Sequence, residues 1–373
     1  MKRLIYLDRL KVFMTALVVL HHTAIIYGGS GSWSYYEHQD NIAVNTLLTI
    51  FTAVNQSFFM GLFFFISGFV TPASYDRQGV SRFLKARLFR FGIPLLFFML
   101  VIAPLLRYVA TGYKGSLGKF IKEEVILHPL RGIIEFAIGP LWYLVALLLF
   151  FTGYAGFRLL INGKLRSEPL ALTPHLVACY VVTVTAANFI VRLVYPVGTE
   201  VLNLQLAYFP AYIGLFMAGI AAYRGNWLQQ LTADAARKWK WTAIILIVLM
   251  IAGMALGGAM EGDISLFMGG MHWQAAFYSI IDPLMGLGIS YALLVWFRER
   301  WNGPANRLTG WLAANAFLVY IIHAFFVTYT AFALRFLAWS PIVKFVLVGC
   351  AAVMLSYTAA SLIRRIPGVK KVV

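Results

Sequence analysis

This sequence predicts an all-α polytopic membrane protein, a bundle of about ten transmembrane helices with both termini in the cytosol. Three observations carry that expectation: charges too few for a water-facing surface, long apolar runs that recur to the end of the chain, and basic residues gathered on alternate connecting segments.

The first is compositional. Of 373 residues, 61% are hydrophobic and 12% charged, and mean hydropathy is +0.78. A soluble domain carries roughly 25% charged residues, so lipid must cover much of this surface. The net charge of +17 raises a nucleic-acid partner, but the bases come in short bursts between apolar runs rather than in one patch among aromatics. That distribution suits membrane topology and excludes nucleic acid. Cys179 and Cys350 both fall inside apolar runs and read as buried, unpaired thiols, with neither a disulfide framework nor a metal site implied. The opening Met1-Lys2-Arg3 and the run behind it resemble a signal peptide. No small-residue cleavage pattern follows His21-His22, so the stretch reads as a retained first helix.

Apolar runs able to cross ~30 Å of hydrocarbon fall at about 10–28, 46–70, 91–110, 138–160, 174–192, 206–223, 242–259, 274–297, 311–334 and 342–363. Their length and lack of alternation argue against strands. Pro104, Pro210 and Pro283 lie inside runs, where neighbouring helices can satisfy the freed backbone groups. With the N-terminus placed in the cytosol and the sides alternated, 23 of the 31 basic residues fall on cytosolic segments. The other side keeps Arg107, Lys114, Lys119, Lys122, Arg131, Arg192, Arg335 and Lys344, an asymmetry that sets the orientation. Three outer segments hold seven of the 14 acids: Glu37, Asp40, Glu123, Glu124, Glu135, Glu261 and Asp263. The longest, 111–137, suits an amphipathic helix lying at the interface. Without repeat or linker, residues 1–373 read as one membrane domain with no appended soluble domain.

Ionisable groups inside a span are costly and mark function by default. In the first helix Asp8, Lys11, Thr15, Val18 and His22 follow 3-4-3-4 spacing and share a face. Lys11 and His22 therefore lie on one stripe ~16 Å apart along the axis. A snorkelling anchor would also account for Lys11, and a hydrogen-bonded interior histidine for His22. His21 points ~100° away, which leaves one of the two rings in a supporting role.

After the second run, Phe63-Phe64-Phe65-Ile66-Ser67-Gly68-Phe69 leads to a basic stretch with Arg82, Lys85, Arg87 and Arg90. On a helix, Arg87 and Arg90 are neighbours and can grip phosphate oxygens; anchoring beside anionic lipid explains the same bases. Gly139-Pro140-Leu141-Trp142-Tyr143 opens the fourth run, where belt anchoring is the plain account of the aromatics. Tyr320 and His323 lie one turn apart in the ninth. Asp282 precedes Pro283 in the eighth, at a turn that could unwind, and pairing with a nearby His or Arg is its plain account.

Together these residues resemble the membrane-bound acyltransferase-3 family, which O-acylates sugars and other envelope acceptors. Tyr6 to Lys11 with Leu17 to His22 is similar to the family's first-helix signature, a basic residue ten intervening positions before a histidine. Phe64 to Phe69 resembles its second-helix motif, Arg87, Arg90 and Pro94 its arginine-rich loop, and Phe317 to His323 its late tyrosine–histidine motif. The matches span most of the chain in the family's order. Two departures stand out. Lys11 replaces the usual arginine, keeping charge but losing the bidentate fork. Ala146 and Leu147 occupy a region where many members carry a tryptophan–serine–leucine motif and a glutamate, which resembles the glucan-modifying branch.

The resemblance implies an acyl-CoA donor, acetyl-CoA first, entering from the cytosol of a bacterium whose inner membrane holds the protein. Arg82, Arg87 and Arg90, with Lys11, would hold its phosphates. His22 would act as general base on a carbohydrate hydroxyl or carry the acyl group itself, a role for which burial among apolar helices favours the needed neutral imidazole. No metal is implied, and oligomeric state, a homo-oligomer included, stays open. A secondary transporter with His22, His323 and Asp282 as a proton relay is the rival, though it would favour internal repeats and paired interrupted helices. Trp33, Tyr35, Tyr36 and Trp273 suit sugar stacking and interfacial anchoring equally.

Overall fold

The computed structural model describes residues 4–37, 40–127, 137–161, 170–259 and 264–372, the side chains of residues 124 and 125 excepted. Lys2, Arg3, Arg131, Lys164 and Arg166 from the basic count, and Glu135, Glu261 and Asp263 from the acidic one, lie outside the described residues. Among those described, the chain is helical and carries only an isolated bridge between Val201 and Leu204.

Nine helices among the described residues are long and apolar enough to cross a membrane. One of these, Ile42–Ala110, is 69 residues long, roughly 100 Å at 1.5 Å per residue and far more than one hydrocarbon thickness. Its helical dihedrals fail at Gly79, at φ +69° and ψ 170°, where a residue without Cβ is required. The expected runs 46–70 and 91–110 lie on either side of that break, so the nine helices accommodate ten crossings.

The principal helices are α1 (Ile5–Ile26), α2 (Ile42–Phe97), α3 (Ala103–Ala110), α4 (Trp142–Leu160), α5 (Pro174–Val194), α6 (Phe209–Arg224), α7 (Ala233–Leu256), α8 (Trp273–Arg300), α9 (Arg307–Ala333) and α10 (Pro341–Ile363). Their starts are written in the sequence. Asn41, Thr173, Thr232 and Ser340 each accept a backbone N–H of the first turn, and Asn306 forms a capping box with Thr309, satisfying otherwise orphaned donors. Pro174 and Pro341 follow their caps, where the missing N–H is not needed. A wide turn at Phe98–Ile102 precedes Pro104, absorbing the bond this proline cannot donate.

Close contacts divide the chain into two compact units. Unit 1 comprises residues 1–10, 56–85 and 146–304. Here α2 and α6 touch backbone to backbone: a Cβ on Gly68 would stand 2.1 Å from the Phe216 carbonyl oxygen, and one on Gly219 2.1 Å from that of Phe65. Small residues of this kind let membrane helices approach closely. An apolar cleft of about 880 Å³ runs along α5 and α6 past Tyr180, Val184, Val191, Phe209 and Ile213. Unit 2 comprises residues 11–55, 86–145 and 305–373. It packs α9 along α10, with the Leu20 side chain of α1 against Gly349 of α10.

Three expectations change. Cys179 and Cys350 are exposed rather than buried, because in a lipid-covered bundle an apolar run faces outward as readily as inward. The 111–137 segment is helical over Leu117–Ile121 with a wide turn to Ile126, and residues 128–136 lie outside the described residues. Finally, α8 runs through Pro283 without unwinding.

Candidate active site

α1 brings His22 to about one turn from its C-terminal end at Ile26, nearer that end than mid-helix. α9 holds His323 beside it: His323 Nε2 lies 3.1 Å from His22 Nδ1, and the rings stack with centroids 5.1 Å apart at 27°. The other nitrogen of His323, Nδ1, is 2.6 Å from the Tyr320 carbonyl oxygen. His323 is fully enclosed, whereas His22 keeps partial exposure. His21 is buried and meets His22 edge-on at 5.4 Å.

A loop the sequence did not connect to this site closes over it. After α1, Gly28 and Gly31 take positive φ (+118° and +150°), and the Gly29 N–H bonds back to the Ala24 carbonyl at 2.8 Å. The chain thus folds over the end of its own helix. Trp33 then stacks on His22, centroids 4.1 Å apart at 26°, and donates its indole N–H to Thr328 Oγ1 of α9 at 3.0 Å. Four residues on, Glu37 pairs with Lys344 of α10 at 2.6 Å. Burial first, and the Glu37 carboxylate second, push the Tyr27 hydroxyl up, well beyond the usual phenol range, so it stays protonated at the loop's start.

The second wall joins two motifs that the sequence showed separately. The Tyr320 hydroxyl donates to the Pro140 carbonyl, and its ring meets Tyr143 edge-on at 6.0 Å. Trp142, half-buried, packs edge-on against Tyr143. The Gly139-Pro140-Leu141-Trp142-Tyr143 turn therefore braces the helix that carries His323, and the aromatics here do more than anchor a bilayer interface.

The basic residues are placed as follows. Arg87 is half-buried and Arg90 exposed, three apart on α2 as expected. The Arg90 guanidinium lies 5.3 Å from the Phe317 ring centre, and Phe317 precedes His323 by six residues of α9, a rise of ~9 Å. Lys11 is half-buried on α1, and its carbonyl accepts from Thr15 Oγ1 at 2.8 Å; its distance from His22 along the helix is the expected one.

Three predicted residues belong to unit 1. Arg82 is exposed, and Ser67 is half-buried with its carbonyl accepting from Thr71 Oγ1 at 2.7 Å. Asp282, buried, pairs with Arg192 at 3.0 Å, the pairing that its plain account anticipates. Arg192 also donates to Ser279 Oγ and the Ala207 carbonyl and lies over the rings of Tyr278 and Tyr208.

An imidazole that is partly exposed, oriented through one nitrogen and stacked on one face is suited to proton transfer or to nucleophilic attack. Residues 4–361 match the acyltransferase domain of the acyltransferase-3 family. Among curated proteins, the chain is 23% identical over 334 residues to glucans biosynthesis protein C of Salmonella schwarzengrund, covering 85% of this chain and 80% of that protein. It is 24% identical, with the same coverage, to the proteins of that name in Salmonella paratyphi B and Salmonella dublin. No solved structure matches the chain significantly.

Proposed function

Because this chain belongs to the acyltransferase-3 family and is a membrane-spanning acyltransferase, we propose that it moves an acetyl group from cytosolic acetyl-CoA to a carbohydrate hydroxyl. His22 is the reacting ring. The single observation that supports this most is the setting of His22: partly exposed, hydrogen-bonded to an enclosed histidine and covered on one face by Trp33.

In the step itself, the lone pair of His22 takes the proton of the acceptor hydroxyl as its oxygen attacks the thioester carbonyl. The new C–O bond forms, the C–S bond breaks, and the departing coenzyme A thiolate recovers the proton from the imidazolium. Arg87 and Arg90 grip the phosphates of the donor, and the short rise along α9 from Phe317 to His323 gives the pantetheine arm its direction. Lys11 and Arg82 add positive charge on the donor's approach.

The basic asymmetry supports an inner-membrane orientation with both termini cytosolic. The name of the Salmonella relatives, glucans biosynthesis protein C, supports a glucan as acceptor class. Purified protein incubated with radiolabelled acetyl-CoA and an oligoglucan should release labelled, base-labile ester. Absence of transfer to any carbohydrate, with coenzyme A binding unaffected by Arg87→Ala and Arg90→Ala together, would overturn the reading.

A further inference from the structure

The hydrogen bonds around His22 specify more than its position. A backbone carbonyl has lone pairs and no proton, so it can only accept. The Tyr320 carbonyl lies 2.6 Å from His323 Nδ1, and that nitrogen must therefore carry the hydrogen. His323 is completely enclosed, and none of the ion pairs formed among the described residues involves it. A second proton would leave a buried, unpaired charge, which is strongly unfavourable. With one proton, and that on Nδ1, its Nε2 is an acceptor.

His323 Nε2 faces His22 Nδ1 at 3.1 Å. An acceptor there requires a donor, so His22 holds its hydrogen on Nδ1, and its Nε2 is left with the lone pair. From this chain of donors and acceptors we propose that His323 is a positioning residue that fixes the tautomer of His22 and makes Nε2 the reacting nitrogen.

The proposal rests on His22 being the reacting ring and adds which atom reacts and what selects it. The logic parallels that by which a carboxylate sets the tautomer of a catalytic histidine, with a neutral imidazole and a backbone carbonyl in the carboxylate's place. Trp33 completes the clamp. Its indole is tied to Thr328, five residues beyond His323 on α9, and stacks on His22, so that one helix governs both the donor bond and the plane of the ring. The proton taken by Nε2 during attack gives a transient imidazolium whose Nδ1–H remains bonded to His323.

Two variants separate positioning from bulk structure. A glutamine at 323 offers an amide oxygen near the site of Nε2, whereas leucine offers none. Nitrogen-15 spectra of histidine-labelled protein, with the His22 signal identified by its loss in His22→Gln, should show His22 protonated on Nδ1 in the wild type and in His323→Gln. The signal should shift to the Nε2-protonated form in His323→Leu. Acetyl transfer should fall about 10²-fold in kcat for His323→Leu, the order seen when support of a catalytic or metal-bound histidine is removed. The KM for acetyl-CoA should stay within about threefold, and His323→Gln should restore most of the rate. A wild-type His22 protonated on Nε2, or a His323→Leu variant with unchanged tautomer and rate, overturns the proposal. Full activity in His22→Ala would instead overturn the assignment of His22 on which it rests.

Discussion

The His22–His323 cluster of unit 2 and the Arg192–Asp282 cluster of unit 1 both put polar side chains inside a membrane bundle, yet they differ in charge and closure. Arg192 and Asp282 are a sealed ion pair, 0% and 3% exposed, with the guanidinium spent on a carboxylate, a hydroxyl, a carbonyl and two aromatic faces. Among the described residues His22 and His323 have no carboxylate partner, and the outer ring of the two keeps access. A buried group whose capacity is spent on its neighbours supports the fold. One with a free lone pair and a route to it can act on something else. Intramembrane charge alone does not distinguish these cases.

That contrast can be broken from either side, and the largest expected effect on stability is in unit 1. Arg192→Ala leaves the Asp282 carboxylate buried and unpaired, which should cost about 3–5 kcal/mol. Replacing the pair together, Arg192→Met with Asp282→Leu, should recover most of that loss. Thermal unfolding in detergent reads both. Equal destabilisation by the single and the double replacement would show that the pair is not the source.

A smaller effect, on binding, belongs to the basic face of unit 2. Arg87→Ala and Arg90→Ala should each raise the KM for acetyl-CoA about tenfold with kcat nearly unchanged, the mark of lost uniform binding. Arg364→Ala should leave KM unaltered. Steady-state kinetics at varied acetyl-CoA checks this, and equal effects at positions 90 and 364 would reduce both to anchoring beside anionic lipid.

The smallest concerns the loop over His22. Glu37→Gln removes the charge opposite Lys344 and loosens the segment that holds Trp33. A few-fold fall in transfer is expected, together with blue-to-red movement and quenching of tryptophan fluorescence as the indole leaves its stack. No change in either would mean that the loop is held in place without the Glu37–Lys344 pair.

How much of this was legible beforehand follows from what sets each feature. The spans were legible because length and hydropathy are local. The break at Gly79 was not placed, since an exposed glycine in a basic stretch looks like any other loop residue. Within the site, His22, His323, Tyr320 and the Gly139–Tyr143 turn were each singled out. Their assembly was not, because nothing within either helix reports that Nε2 of residue 323 meets Nδ1 of residue 22. Trp33 was noted for its aromatic face, but its partner is fixed by glycine dihedrals and a part-buried Glu37–Lys344 pair that no periodicity reveals. Side-chain exposure was the least legible property, as the outward-facing Cys179 and Cys350 show.

The most direct measurement compares the two clusters in one assay: acetyl transfer from radiolabelled acetyl-CoA to an oligoglucan by equal amounts of folded protein. The account predicts that His22→Ala loses at least about 10³-fold, within the range attributed to positioned acid–base groups, with its unfolding temperature unchanged. It predicts that the Arg192→Met, Asp282→Leu protein transfers at close to the wild-type rate. Retained transfer in His22→Ala, or abolished transfer in the folded double variant, would contradict it.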